Sequence, residues 1–426
     1  MNYAKLREQI YGPLREQGAF SWDFLYGQEY ALALPGVLVE KDRYELSYAT
    51  ERLGAIFAKT VSAVQRGSNK LLLELGIPRE TFDAVKLPIM STMPTMIGRF
   101  DFTKTTAGWK MLEFNADTPG GVVEAFCVNE HVCRFYSVQN PNQGCEINIT
   151  EAFSQAISIY RELGYPVKEI VFSAPEWHAE DAGTAQYLLQ VSRLNAFFTA
   201  LKDLRVYRDR LCASVNGELI PVDVWHRLHP FGILCGEADT DGYPTGAHVL
   251  DIIARKRLAV LNPASSLIAQ TKALQALIWN LYEAGEFFTR SEREAIGSYM
   301  LPTYLENRFQ GISSYVTKPV LGREGGGISI YDADGQLLHQ SCDQSFMDQR
   351  IVFQKFIEME EVTVETLGGQ CRGFAVWGSF LIGGKASAIN VRVGGRITDD
   401  MSYYCPIMGC AEFRDIRREK DGETVG

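Results

Sequence analysis

The chain has 426 residues, 46% of them apolar and 22% charged, with a formal net charge of −10. That composition fits a globular protein of two or three packed layers and excludes disordered and fibrous classes. The acidic balance argues against a sequence-independent nucleic-acid binder, and no apolar run approaches the ~20 residues of a membrane helix. The nine cysteines form no CxxC and no zinc spacing, which suits free thiols in a reducing compartment. The N-terminal stretch MNYAKLREQIYGPLREQG has no apolar core, so the expectation is a cytoplasmic protein that binds neither nucleic acid nor membrane.

Helical spacing opens the chain. Tyr3–Gln17 reads as a helix broken at Pro13, and Lys41–Leu75 as a long helix with Leu53, Ile56, Phe57, Val61 and Val64 at apolar spacing and a stop at Gly67-Ser68. Next, IGRFDFTKTTAGWKMLEFNADTP (97–119) reads as two strands joined by a polar turn, Thr103 to Lys110. Period-two alternation puts Arg99 and Asp101 on one face with Phe100 and Phe102 behind them. In the returning strand Glu113 and Asn115 share a face, opposite Leu112 and Phe114. If both polar rows point the same way, one arginine, two carboxylates and one amide converge over an apolar floor. Such hard oxygen ligands suit Mg²⁺, and the arginine suits an anion such as phosphate; a solvated outer face is the alternative. Gly120-Gly121 follow, and Val122–Tyr136 reads as a helix.

After the loop Asn140–Glu146, helix and strand alternate: Glu151–Leu163 helical, Glu169–Ser173 a strand, Ala182–Ala200 helical, Leu204–Tyr207 and Val222–Trp225 strands. This pattern predicts a parallel α/β layer. His226 and His229 have no third ligand in view and read as structural. His248–Lys256, Ser265–Glu283 and Ser291–Tyr299 are helical patterns. The rest is β-rich: Ser314–Pro319, Gly327–Tyr331, Leu337–Gln340, Ile351–Phe356, Gly373–Ile382 and Ala386–Val393.

The stretch VTKPVLGREGGGISIY (316–331) places Lys318, Arg323 and Glu324 among glycines that let backbone amides approach phosphate oxygens. A Walker loop or a Rossmann fingerprint would run into a helix, whereas this loop lies between strands and would act as a flap. A kinase also has a strand-flanked glycine loop, but HRD and DFG are absent; a ligand-free glycine hairpin stays open. Gln354, Lys355, Phe356 and Ile357 have the look of a linker whose backbone could read an adenine edge. Asn390 and Arg392 share a strand face, placed to stabilise charge on a transferred phosphoryl group if a triphosphate lies beside them. Lys272 heads an otherwise apolar helix.

Together these stretches resemble the synthetase part of the glutathionylspermidine synthase family. RFDF with EFNADTP resembles its Arg-x-Asp and Glu-x-Asn-Ala-Asp motifs, QTKALQALIW its Asn-Lys-Ala-Leu helix, and TKPVLGREGGGISIY its Lys-Pro…Gly-Arg-Glu-Gly flap. The resemblance implies an α/β (α+β layers) permuted ATP-grasp fold with a pre-ATP-grasp-like domain. Its parts would be 1–145, a helical segment plus the ligand hairpin; 146–262, the α/β substrate domain; and 263–426, the ATP-grasp domain with the flap. It implies Mg²⁺ on Asp101, Glu113 and Asn115, and Arg99 close to the acyl and phosphate groups. ATP would be held by Lys272, Lys318, the flap glycines Gly325, Gly326 and Gly327 and the linker, with Arg392 supporting phosphoryl transfer. The REGGG run is also similar to that of eukaryotic glutathione synthetase, which implies Glu324 as a fourth metal ligand. Thr118, Glu180 and Asp181 fall where substrate would bind. The implied activity joins glutathione or a similar carboxylate to a polyamine or other amine through an acyl phosphate. An idle ATP-binding or scaffold protein of the same fold and a kinase-like phosphotransferase are the alternatives. Two departures stand out: Gly120-Gly121 where a polar pair is common, and Arg227-Leu228-His229-Pro230-Phe231 in place of Lys-Leu-Tyr-Pro-Trp.

Overall fold

A computed structural model describes residues 2–410 of the chain. Its central sheet is antiparallel and joins the two ends of the sequence. The hairpin strands Ile97–Thr105 and Gly108–Asn115 pair with each other, and the first also pairs with Gly369–Ile382. Lys385–Gly394 and then Tyr403–Cys405 extend the sheet on that side. Phe100 and Phe114 stack at 3.8 Å on the apolar face of the hairpin, and Phe57 from the helix Glu40–Gln65 packs edge-on against both. Burying that face decides which way the polar rows point, because a one-residue slip would invert every side chain. The strands run on to Thr105 and resume at Gly108, so the turn is only Thr106-Ala107 rather than Thr103–Lys110. Gly108 takes a φ of 92° there, which glycine adopts without strain.

The second layer is a parallel sheet in the order Ala259–Leu261, Val224–Arg227, Ile170–Ala174, Ala196–Ala200. The helices Glu146–Glu162 and Ala179–Ser192 pack on it through Phe153, Ile157 and Leu188. The expected helix over Ala182–Ala200 therefore ends at Ser192, and its last five residues are strand. Arg193 turns left-handed at φ 54°, and the aromatic run AFFTA joins the open edge of the sheet, where its β-propensity wins. Leu204–Tyr207 does not join the parallel layer; it forms an antiparallel sheet with Arg210–Val215 and Glu218–Pro221.

A third sheet, in the order Thr303–Tyr304, Ile351–Lys355, Tyr315–Pro319, Ser329–Tyr331, Leu337–Gln340, carries the glycine loop. Strand Glu361–Thr366, which sequence patterning does not single out, pairs with Gly369–Ile382.

Other boundaries differ for local reasons. Pro13 does not break the first helix, which is continuous over Tyr3–Glu16 because Ile10, Tyr11 and Leu14 are packed into the core. The long helical pattern divides at Gly67-Ser68 as its spacing predicts, into Glu40–Gln65 and Asn69–Glu74. Val122–Tyr136 contains a π-helical turn, Glu124–Val128, before the α-helix Asn129–Tyr136. Ser265–Glu283 is two helices, Ser266–Gln270 and Lys272–Ala284; extended Thr271 separates them and caps the second by accepting from the Ala273 N–H. Among the described residues no helix is long and apolar enough to cross a membrane.

Candidate active site

The central sheet, the flap sheet and the parallel layer enclose a cleft of about 1030 Å³. Hairpin register sets its floor: Arg99 lies opposite Asn115 and Asp101 opposite Glu113, so both polar rows share one face. The Arg99 guanidinium donates to both oxygens of Asp101, at 2.6 and 3.0 Å. Oδ2 of Asp101 also accepts from Asn115 Nδ2 at 3.1 Å and from Arg392 Nη2 at 2.7 Å. Burial works against the charge on Arg99, but Asp101, with Glu113 and Glu180 behind it, more than compensates and raises its pKa.

Glu113 is held from the other side, with Lys272 Nζ at 3.2 Å. Burial opposes its ionisation, yet Lys272, Lys318 and Arg392 bring its pKa down to about 2. Lys318 donates to the Leu112 carbonyl at 3.1 Å. Burial pulls its pKa down to about 8, with Glu113 resisting. The break at Thr271 is what delivers Lys272: its N–H donates to the Val320 carbonyl and its Nζ to Gly322, each at 2.8 Å, tying the helix start to the root of the flap. Four cations, Arg99, Lys272, Lys318 and Arg392, thus meet two carboxylates, Asp101 and Glu113, leaving two positive charges in excess. The floor is built to receive an anion.

Close backbone approach completes it. A Cβ on Gly121, whose φ is 77°, would lie 2.2 Å from Asn390 Nδ2, and one on Gly378 would lie 2.0 Å from Asn390 Oδ1. Asn390 lines the cleft between them, and its buried Oδ1 has no partner.

The flap runs between the antiparallel strands Tyr315–Pro319 and Ser329–Tyr331, with no helix after it. Gly325 lines the cleft. Gly326 and Gly327 instead let neighbours approach: a Cβ would lie 2.5 Å from Asp343 Oδ2 and 2.7 Å from Pro319 respectively. Glu324 lines the cleft from the flap, its side chain 61% exposed and 4.0 Å from Arg323. Its carboxylate acts on Glu180 and Asp181 rather than gathering with Asp101 and Glu113. Among the described residues, the three ligating side chains that converge within 4.8 Å are Asp209, His248 and Asp251, none of which lines the cleft. His226 and His229 form no ligand group; His226 is buried and stacks on Phe172.

Gln354, Lys355, Phe356 and Ile357 all line the cleft. Gln354 is buried, and its Nε2 donates to the Leu112 carbonyl and to Thr303 Oγ1, both at 3.3 Å. The backbone N–H of Lys355 is committed to Pro302 at 2.9 Å and that of Phe356 to Ser314 at 3.1 Å.

At the far end, Thr118, Glu180 and Asp181 line the cleft. Burial, then Glu124, Asp181 and Glu324, lift Glu180 to about 8, with Arg99 opposing. Asp181 is also raised, chiefly by burial, although His178 Nδ1 lies 3.3 Å away.

The sequence profile described as "Glutathionylspermidine synthase preATP-grasp" matches residues 5–408. The chain belongs to this family. It is 22% identical to a putative acid–amine ligase of Haemophilus influenzae over 322 residues, 74% of each chain. It is 23% identical over 372 residues to the bifunctional glutathionylspermidine synthetase/amidase of Escherichia coli, covering 78% of this chain and 55% of that protein. The glutathionylspermidine synthase of Crithidia fasciculata is 24% identical over 301 residues, 65% of this chain and 40% of its own length. The match therefore spans about half or less of these two longer relatives. Among solved structures, the glutathione synthetase-like effector GSS30 from Globodera pallida, in its apo form, is similar with a TM-score of 0.58 at 14% identity, covering 96% of this chain and 98% of that one. That likeness concerns the mixed α/β fold alone.

Within this family member, three buried groups that were not among the expected site residues shape the site. Asp117, second acid of EFNADTP, accepts from Arg227 Nη2 at 2.5 Å, the Phe231 N–H at 2.8 Å and Ser266 Oγ at 3.2 Å. It ties the hairpin to the parallel layer. Arg227 itself is fully buried, with its guanidinium 3.3 Å from the centre of the Phe231 ring. Glu124, on the π-helical turn, accepts from Trp22 Nε1 at 2.8 Å and the Tyr30 hydroxyl at 3.1 Å. A carboxylate five residues beyond the motif, among Val122, Val123, Ala125 and Phe126, was the available signal: an acid in an apolar run is rarely there for solubility.

Proposed function

We propose that the chain is an ATP-dependent carboxylate–amine ligase of permuted ATP-grasp type, acting in the cytoplasm. It would join glutathione or a similar carboxylate to a polyamine or another amine through an acyl phosphate. The observation that carries this reading is the convergence of Arg99, Lys318 and Arg392 on one cleft floor beneath a strand-flanked glycine flap, with buried Lys272 reaching Glu113 from behind that floor. An excess of two positive charges and the unpartnered Asn390 Oδ1 fit a magnesium-bound polyphosphate. Asp101, Glu113 and Asn115 would hold Mg²⁺, while Lys272 and Lys318 would hold phosphates. Bound Mg²⁺–ATP supplies the phosphoryl group that activates the carboxylate.

The side chains do the rest. Arg99 and Arg392 set positive charge where negative charge gathers during transfer, and they are already oriented by Asp101. Gly325 abuts the Thr398 carbonyl, so the flap closes against the central sheet's last loop and keeps water from the activated acid. With Lys355 and Phe356 committed to protein carbonyls, the Ile357 N–H is the linker donor left for an adenine edge. In this division, 1–145 and 263–426 serve the nucleotide, and 146–262 contributes Glu180 and Asp181 to the substrate side. Thr118 borders both.

ADP release with Mg²⁺–ATP and glutathione, with and without spermidine, tests the reading, with product mass measured alongside. ADP that requires both substrates, with a product lighter than their sum by one water, is expected. Phosphorylated acid as the stable product would replace the ligase by a phosphotransferase.

A further inference from the structure

Glu180 sits among carboxylates. A Cβ on Gly120 would lie 2.8 Å from Glu180 Oε1, so the acid rests directly on the backbone that follows the hairpin. Glu124 faces it from the π-helical turn, Asp181 from its own helix and Glu324 from the flap; Arg99 is the opposing cation. The hydroxyls of Tyr26 and Tyr30 lie within the same field.

Glu124 behind it is fully buried. Its Oε1 accepts from Trp22 and Tyr30, while Oε2 has no partner. Trp22 is locked against the helix that carries Glu180, since a Cβ on Gly183 would lie 2.3 Å from its ring. Burial raises the proton affinity of Glu124, with the Trp22 and Tyr30 hydrogen bonds opposing. Two such acids in one electrostatic field ionise in separate steps that belong to the pair.

We propose that Glu180, backed by the buried carboxyl of Glu124, is the base that takes the proton from the acceptor amine, a step that rests on the ligase reading above. The amine arrives as an ammonium and has no lone pair to offer. The Glu180 carboxylate accepts one N–H proton and becomes a carboxylic acid. The freed lone pair forms the C–N bond at the acyl carbon, the C–O bond to phosphate breaks, and phosphate leaves with that electron pair and takes up the second nitrogen proton. The placement suits the step: Arg99 Nη1 donates to the Gly120 carbonyl at 2.7 Å, so base and phosphate-end arginine meet on one residue. Burial and like charge lift Glu180 to about 8, within the range where a carboxyl exchanges protons near neutrality. An ammonium entering this acidic end favours the ionised form.

Two measurements on the full chain test this. The first is an infrared titration of the ligand-free protein, following the carbonyl band of protonated carboxylic acid. A component lost near pH 8 is expected, missing in Glu180→Gln and moved to lower pH in Glu124→Gln. A wild-type protein with no carboxylic acid left above about pH 6 overturns the pair. The second compares hydroxylamine, already neutral at neutral pH, with spermidine, using glutathione as the acid. Glu180→Gln is expected to keep hydroxamate formation within about threefold while losing ~10²-fold or more in amide formation, with partial rescue by Glu180→Asp. Equal loss with both nucleophiles would make Glu180 structural and overturn the proposal. Absence of hydroxamate from the wild type counts against the ligase reading with this acid, whereas the infrared titration still decides the carboxyl pair.

Discussion

The two ends of the cleft are built differently. At the floor, Arg99, Asp101, Glu113, Asn115 and Arg392 stand on neighbouring strands of one sheet, and each charge has a partner within 3.2 Å. At the acidic end, Glu124, Glu180, Asp181 and Glu324 come from a π-helical turn, a helix start and a flap, and like charges face each other. A sheet delivers side chains by register, so it can pre-form a satisfied polar cluster. Loops and helix ends deliver them by tertiary approach, and here they leave proton affinity raised rather than neutralised. The floor is suited to holding a fixed anion and the other end to exchanging a proton or receiving a cation.

That contrast is open to attack from several directions. The largest effect is expected at the tie between the two ends. Asp117→Ala leaves the fully buried Arg227 without its carboxylate and should cost about 3–5 kcal/mol in urea unfolding; a loss below ~1 kcal/mol would mean that the tie is not structural. Arg392→Ala should lower turnover by about 10²-fold or more with ATP affinity within a few-fold, read from initial rates and nucleotide titration. Weakened ATP binding at unchanged turnover would move Arg392 from transfer to binding. Gly121→Ala forces a Cβ to 2.2 Å from Asn390 at a φ of 77°, and about 2 kcal/mol of stability should go with it, measured by the same unfolding assay. Glu113→Gln should shift the Mg²⁺ dependence of activity upward by about tenfold, and an unchanged titration would remove it from the ligand set.

The smallest effect concerns pH. Glu180 has a folded-state pKa of about 8 against an ordinary 4.5, so the folded protein keeps a proton that the unfolded chain gives up. Its contribution is full below pH 4.5 and is lost progressively as pH rises to about 8. Glu180→Gln should therefore raise the melting temperature at pH 8 and leave it near the wild-type value at pH 4.5, whereas parallel curves would show that Glu180 titrates normally.

Much of the floor was legible in the primary structure. Alternation alone put Arg99 with Asp101 and Glu113 with Asn115, and burial of Phe100 and Phe114 under Phe57 selected the face. The strand-flanked flap, the stop at Gly67-Ser68 and the free thiols of buried Cys133, Cys212 and Cys405 followed from local chemistry too. Period-two and helical spacing are properties of neighbours in sequence, and so the chain by itself determined them. It could not determine that AFFTA leaves a helix for an open sheet edge, that Thr271 splits a helix to deliver Lys272, or that Glu124 lies behind Glu180. Those outcomes depend on which distant surface is available for pairing and on which charges are brought together away from water. Such terms have no value until the layers have packed, and only the tertiary structure decided them.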